Sequence, residues 1–336
     1  MYIMNKSFNR ILSENESLEE QFSHIPLPSI FKLRSAVERF GAAHQILKLS
    51  QNLRPYLPRS FAYWQHGWFF WPVKYSEGLF AFEVSSKRDY SFIVSSEYLY
   101  QLLIKEDYLY PQKAPLPFYF TETLKPNRIK NSLLAMPPHS AERERIESLK
   151  LIKLYLDYLV SIKSDFETIY VCLFSLDASP ELCNEITKRG LFWVIGGWPD
   201  DQNSLQRLRY LFETFEYVSL SCMSSAFIYA LYCNCKVSIC GPYITEYSIQ
   251  SSERNQIVVD ELFRFHEYTK FKYKNFFLKH PAEGVQNYSH ALDEISPKTN
   301  EDPKDIARLL GWNYPERGML YLNGLKRRIH RSIFLS

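Results

Sequence analysis

Glycine is scarce in this chain, 11 residues in 336, and charge of one sign hardly accumulates, since 40 Lys and Arg stand against 37 Asp and Glu for a net +3. So little glycine argues against a low-complexity or disordered chain, and cations spread along the sequence leave no electrostatic footprint for a nucleic acid. The N-terminal MYIMNKSFNRIL lacks a clean apolar segment of the kind a signal peptide needs, so a reducing cytoplasm is the expected location. Cysteine is limited to six residues, at 172, 183, 222, 233, 235 and 240, and their positions in or beside strand-like runs fit packed thiols better than zinc or disulfides. Long apolar runs are missing with one near-exception. Tyr217 to Cys235 carries no charge and approaches the ~20 residues of a membrane span, but four serines and an asparagine dilute it and no equally apolar partner exists.

What the chain has is aromatic bulk, 24 Tyr, 24 Phe and 6 Trp, on a length that suggests two domains. In the first part, SAVERFGAAHQILKL reads as an amphipathic helix, Phe61 to Trp64 as a buried strand, and YSFIVS as another, with Ser96 capping the helix EYLYQLLIKEDYL. APLPFYF, broken by prolines, reads as a connection or edge strand. The polar TETLKPNRIK marks a boundary, placing domains at 1–125 and 126–255 and a helical extension at 256–336.

The second part alternates more cleanly. SLLAMPP, TIYVCLFS, LFWVIGG and YVSLS read as strands. Between them come helices over about 141–163, over SPELCNEITKRG with Ser179 and Pro180 at its start, and over Ser204 to Phe215. Tyr217 to Gly241 then packs strand, Ser-rich turn, short helix and strand into one stretch. Alternation of this kind predicts an α/β fold with a doubly wound parallel sheet. It carries His139, Ser140, Asp177, Gly197, Asp200, Asp201, Ser224 and Ser225 to one edge, at strand C-termini, where such sheets bind ligands. A helix start at Ser224 and Ser225 favours a phosphate there. An ordinary buried βαβ unit is the competing use of the same residues.

Several residues have two uses at this level. His66-Gly67 follows a strand, so imidazole can serve as base or donor while glycine lets a ligand approach, or the pair is a packed histidine beside a turn. Asp200 and Asp201, with Asp177 second, are the carboxylates best placed to act as base or nucleophile; the first two can instead cap the helix near Ser204. Arg207 can pair with an acidic sugar or with one of these aspartates. The tail GLKRRIHRSIFLS suits a solvated helix, and also an anionic membrane surface.

QHGW, MPPHS, GGWPDDQNSLQRL and YVSLSCMSSAFIYALYCNCKVSICGP together resemble bacterial GT-B-type glycosyltransferases of capsule and lipopolysaccharide assembly. The resemblance covers roughly residues 60 to 245 and implies two Rossmann-like domains facing a cleft (GT-B-like). The first would be the acceptor-side domain and the second would bind the nucleotide sugar. It implies donor phosphate or ribose contacts from Ser224 and Ser225, with Tyr229 lining the same pocket. His139 and Ser140 would sit beside the donor, and His66 would face across the cleft. A glycine usual in the closing turn is replaced by Asn234. Sialyl- and Kdo-transferases, which use CMP-sugars, carry a His-Pro motif; here it is His280-Pro281, after the Ser-rich turn and not before it. No Asp-x-Asp pair occurs, so the expected donor, an NDP- or CMP-sugar, is handled without metal and without a further cofactor. The acceptor implied is a glycan or lipid-linked glycan, with peripheral inner-membrane contact. The alternatives are a non-catalytic scaffold of an assembly complex and a polyol-phosphate transferase, since QHG-type elements occur there too.

Overall fold

The structure, a computed structural model, describes residues 24–50, 56–69, 91–108, 110–125, 127–138, 145–243, 267–313, 318 and 322. His139, Ser140 and the basic tail beyond Leu322 lie outside the described residues.

The amphipathic pattern around Ala36–Leu49 does not make one helix. A 3-10 turn, Ala36–Gly41, is followed by α1, Ala42–Leu49, and between them Phe40 adopts φ 57° and ψ 17°. Gly41 follows at φ 76°, and a Cβ there would lie 2.1 Å from the backbone oxygen of Gln202. The helix is broken because this corner is pressed against another part of the chain: Phe40 N donates to Pro199 O at 2.8 Å.

β1 (Ala62–Trp64), β2 (Ser91–Val94) and β3 (Gln112–Lys113) form a three-stranded parallel sheet in that order, with Tyr63 opposite Phe92 and Ile93 opposite Gln112. β1 and β2 are buried at every position, as strands covered on both faces require. α2, Glu97–Lys105, starts where Ser96 Oγ accepts from Leu99 N at 3.2 Å. The proline-broken run ends in a 3-10 turn, Pro117–Phe120, whose prolines lack the N–H a ladder would use.

The alternating second part folds as β4 (Ile129–Met136), α3 (Arg145–Ser161), β5 (Thr168–Phe174), α4 (Pro180–Lys188), β6 (Phe192–Gly197), α5 (Ser204–Thr214), β7 (Phe215–Leu220), α6 (Ser225–Tyr232) and β8 (Lys236–Ile239). All five strands are parallel, in the order β6-β5-β4-β7-β8. Alternate residues separate cleanly between the two faces. Leu133, Ala135, Ile169, Val171 and Leu173 pack with Ile152, Leu156 and Leu182 of α3 and α4. Leu134, Tyr170 and Cys172 face Phe212 and Phe227 of α5 and α6. The uncharged stretch is thus strand, helix and strand within one sheet, and among the described residues no helix is long and apolar enough to cross a membrane. All six cysteines are free thiols, buried except for the half-buried Cys222.

The larger apolar cluster also runs into the first sheet, through Trp64 and Ile93, and on through Phe118 of the 3-10 turn to Ile306 and Trp312. Two C-terminal helices, α7 (Tyr288–Ile295) and α8 (Pro303–Leu309), bring this about. Leu116 N donates to Ile295 O at 2.9 Å, Phe61 N to Leu310 O at 3.0 Å, and Trp312 Nε1 to Ser60 Oγ at 3.1 Å. The polar segment before β4 is held down rather than free, with Glu122 N donating to Gln206 Oε1 and Leu124 N to Glu213 Oε2.

Candidate functional site

From β4 the chain builds β5 and β6 on one side, then crosses through α5 to place β7 on the other. The C-terminal ends of β4 and β7 therefore sit side by side while their connections leave in opposite directions, the geometry that opens a crevice in doubly wound sheets. Ser221, just past β7, donates its N–H to Met136 O at 3.2 Å. Its side chain is fully buried, and the hydroxyl has no hydrogen-bond partner among the described residues. Ser224 Oγ caps α6 by accepting from Ala226 N at 3.3 Å.

The exit of β1 is docked onto this helix start. Ser225 Oγ accepts from Trp68 N at 2.8 Å, and a Cβ on Gly67 would stand 2.9 Å from the same oxygen, so only glycine allows the approach without displacing that hydroxyl. Tyr229 donates from its hydroxyl to His66 O at 2.9 Å and stacks on Phe118 at 4.0 Å between centroids; burial raises its phenol well above the ordinary range. Gln65 supports the turn from within, donating to Gly67 O at 2.7 Å and accepting from Ser95 N at 3.0 Å. Trp68 stacks on Phe227 and donates to Glu294 Oε2 at 2.9 Å. The structure thus brings the backbone of His66 and Gly67 to the Ser-rich turn. It assigns Ser225 and the buried Tyr229 to that junction instead of leaving them open to a ligand.

At the end of β6, Gly197 lies against Ser204, whose hydroxyl accepts from Trp198 N at 3.0 Å. Asp201 is 0% exposed and fully engaged: one oxygen accepts from Ser29 N at 2.8 Å and Asn203 N at 2.9 Å, the other from Arg207 Nη1 at 2.6 Å. Arg207 Nε donates in turn to Pro26 O at 3.0 Å, and burial lowers its pKa. The expectation that Asp201 acts as base and Arg207 as a sugar contact is corrected here. A carboxylate with no exposed surface and three donors has no route to a substrate, and its pair clamps residues 26–31 onto the start of α5.

Asp200 differs. It is half-buried, and its carboxyl is raised above the ordinary aspartate range, mainly by burial, with the Asp201 charge adding and a bond from its own backbone N–H opposing. Asp177, at the end of β5, is 1% exposed, with its N–H given to Phe174 O at 3.0 Å. His280 is not at this edge. Its ring stacks on Phe166 at 5.7 Å and its Nε2 is 3.0 Å from Asp165 Oδ2, both residues that lead into the start of β5. The His-Pro pair caps a 3-10 turn at the opposite, N-terminal edge, which corrects its assignment as a substrate contact. A cavity of about 540 Å³ opens at that edge, beside Arg128, Lys130, Asn131, Glu216, Lys236 and Gln286. Its polar groups largely serve one another: Lys236 pairs with Glu216 at 2.6 Å, and Arg128 donates to the carbonyls of Phe215 and Cys233.

One feature of the active-looking edge escapes sequence reasoning. Phe40, His66 and Phe174, from three separate parts of the chain, gather beside Gly197, with ring centroids 5.5 Å apart for Phe40 and His66 and 6.4 Å for Phe40 and Phe174. A Cβ on Gly197 would be 3.9 Å from the Phe40 ring. The available signal was Gly41 inside an otherwise helical pattern, which marks a break.

No family model and no curated protein matches the sequence. Among solved structures, the chain is similar to that of a S. aureus TarM mutant in complex with Fondaparinux, alpha-GlcNAc-glycerol and UDP, at 12% identity and a TM-score of 0.31. The likeness covers 66% of this chain and 43% of that one, so the chain spans less than half the length of that structure. A likeness at this level carries neither activity nor residue roles across.

Proposed function

We propose that the protein transfers a sugar from a nucleotide-sugar donor to a glycan acceptor at the C-terminal edge of the five-stranded sheet. The observation that supports this most is the crossover between β4 and β7 with the β1 exit docked beside it, through Trp68 N on Ser225 Oγ and Tyr229 on His66 O, at the positive end of α6. A donor phosphate is favoured at that helix end, and the buried Ser221 hydroxyl is a further polar group at the same strand end.

Asp200 is the carboxylate suited to the proton transfer. In an inverting reaction it takes the proton of the acceptor hydroxyl as the new carbon–oxygen bond forms, while the bond from the anomeric carbon to phosphate breaks and the nucleotide departs as an anion. A carboxyl lifted by burial holds that proton better than an exposed one. His66, whose ring lies 5.5 Å from that of Phe40, is the second group proposed for that proton. The acceptor in this reading is a growing surface glycan of the lipopolysaccharide or capsule type, made at the inner membrane's cytoplasmic face.

Thermal unfolding of the protein with a panel of NDP- and CMP-sugars tests the donor, and mass spectrometry of products with glycan acceptors tests transfer. No stabilisation by any nucleotide or nucleotide sugar removes the reading. The commitment of Asp201, Ser225 and Tyr229 to internal bonds favours one other use, a non-catalytic scaffold. Surface polysaccharide unchanged by Asp200→Ala and by His66→Ala selects it.

A further inference from the structure

We infer that the surface around Phe271 docks the protein on an anionic lipid bilayer. This deepens the surface-glycan reading, on which its use rests, by naming the face that meets the membrane. Phe271 lies in a short helix over residues 267–272 and is 79% exposed, the most open large apolar side chain among the described residues. A phenyl ring left in water gains from any apolar medium that takes it. Lys270, Lys272 and Lys274 stand beside it in sequence, all exposed, and Lys279 follows. Four lysines against Glu267 alone give residues 267–279 a net charge of +3, as much as the whole chain carries. Lysine stems reach headgroup phosphates while the ring enters the acyl boundary, which is how an interfacial segment binds.

The inner side of this segment is anchored, so the outer side has a fixed place. Tyr273, just past the helix, is buried edge-on to Trp68 and Phe227, at 5.7 and 5.4 Å between centroids, and Phe276 stands edge-on to Phe227 at 4.8 Å. Leu278 N donates to Ile239 O at 3.3 Å, tying the segment to the end of β8. Lys270 rests over Tyr243 at 5.8 Å and stays exposed. Lys272 pairs with Glu294 at 3.5 Å, which leaves Lys270, Lys274 and Lys279 as the cations for headgroups. A single-stranded nucleic acid, which also joins cations to rings, fits less well because it needs rings for successive bases. Lys272 Nζ lies over Tyr268 at 5.5 Å and over the buried Tyr273 at 5.2 Å, and Phe271 is the one exposed ring of the segment.

The test is co-sedimentation of the protein with vesicles of phosphatidylcholine, alone or mixed with phosphatidylglycerol. Wild type is expected to pellet with the mixed vesicles, to stay in solution with the neutral ones, and to be released by added salt. Phe271→Ser should weaken binding about fivefold or more, and Lys270→Glu with Lys274→Glu about tenfold or more. Lys105→Glu with Lys188→Glu, exposed lysines elsewhere, should leave it within about twofold of wild type. Phe271→Trp should bind as wild type does and gain fluorescence that brominated lipid quenches. Equal pelleting with both vesicle types, none with either, equal losses in the two lysine pairs, or no added quenching overturns the docking surface. Single-stranded RNA binding that Phe271→Ser abolishes, without vesicle binding, assigns the face to nucleic acid and also overturns it. Thermal stabilisation by nucleotide sugars is measured alongside. Its presence without vesicle binding removes the membrane inference alone, and its absence with vesicle binding removes the donor reading alone.

Discussion

The carboxylate of Asp201 and the guanidinium of Arg207 meet at 2.6 Å with their side chains almost wholly shielded from water. Removing one partner of such a pair strands the other charge, so Asp201→Ala is expected to cost about 3–5 kcal/mol in urea unfolding. Asp201→Leu combined with Arg207→Met should recover part of that loss. Recovery is incomplete because the N–H groups of Ser29 and Asn203 also lose their acceptor.

Gly41→Ala is expected to destabilise by about 1–3 kcal/mol from the backbone alone, since φ is 76°. The added Cβ would also meet the Gln202 carbonyl, which is backbone and cannot swing away. The urea midpoint should fall accordingly.

Tyr229→Phe removes only the hydroxyl given to His66 O and keeps the stack on Phe118, so the expected loss is about 1 kcal/mol. Phe118→Ala, which empties a fully buried site, should cost about 3–5 kcal/mol. Comparing the two thermal midpoints separates the bond that holds the β1 exit to α6 from the packing of the Pro117–Phe120 turn on the same helix.

Burial raises the Asp200 carboxyl above the ordinary aspartate value of 3.8. Folding therefore favours its protonated form, and the stability this contributes is present below pH 3.8 and lost as pH rises through the raised value. The stability of Asp200→Asn relative to wild type should increase across that window and then level off. If Asp200 takes the acceptor proton, kcat/KM of the wild type should decline as pH falls through the same value.

His44 shifts the other way. Burial lowers its imidazole from 6.5, with Arg34 lowering it further and Glu38 and Asp201 opposing, while its ring stands edge-on to Phe31 at 4.5 Å. Stability from the neutral ring is present above pH 6.5 and lost as pH falls through the lowered folded value. A His44→Gln variant should show a flatter pH dependence of unfolding over that range, measured by denaturant titration.

Much of the second sheet was legible. Ser179 caps α4 with Pro180 at its first position, and Leu133 and Leu134 of β4 take opposite faces as a period of two demands. These are local rules, set by neighbours a few residues apart. The helix predicted through Phe40 failed because the chain that breaks it, Pro199 to Gln202, is far away in sequence.

The sequence by itself determined the α/β alternation and the strand ends at which Asp177, Gly197, Asp200 and Ser221 would lie, because hydrophobic period and helix capping act over a few residues. Tertiary structure alone decided which polar groups at that edge are committed and which face outward. Asp201 meets Ser29 across 172 positions and Ser225 meets Trp68 across 157, and no local pattern encodes partners so remote. The same long-range contacts gather Phe40, His66 and Phe174, and they turn two expected ligand contacts, Ser225 and Tyr229, into the joint that carries His66 to the edge.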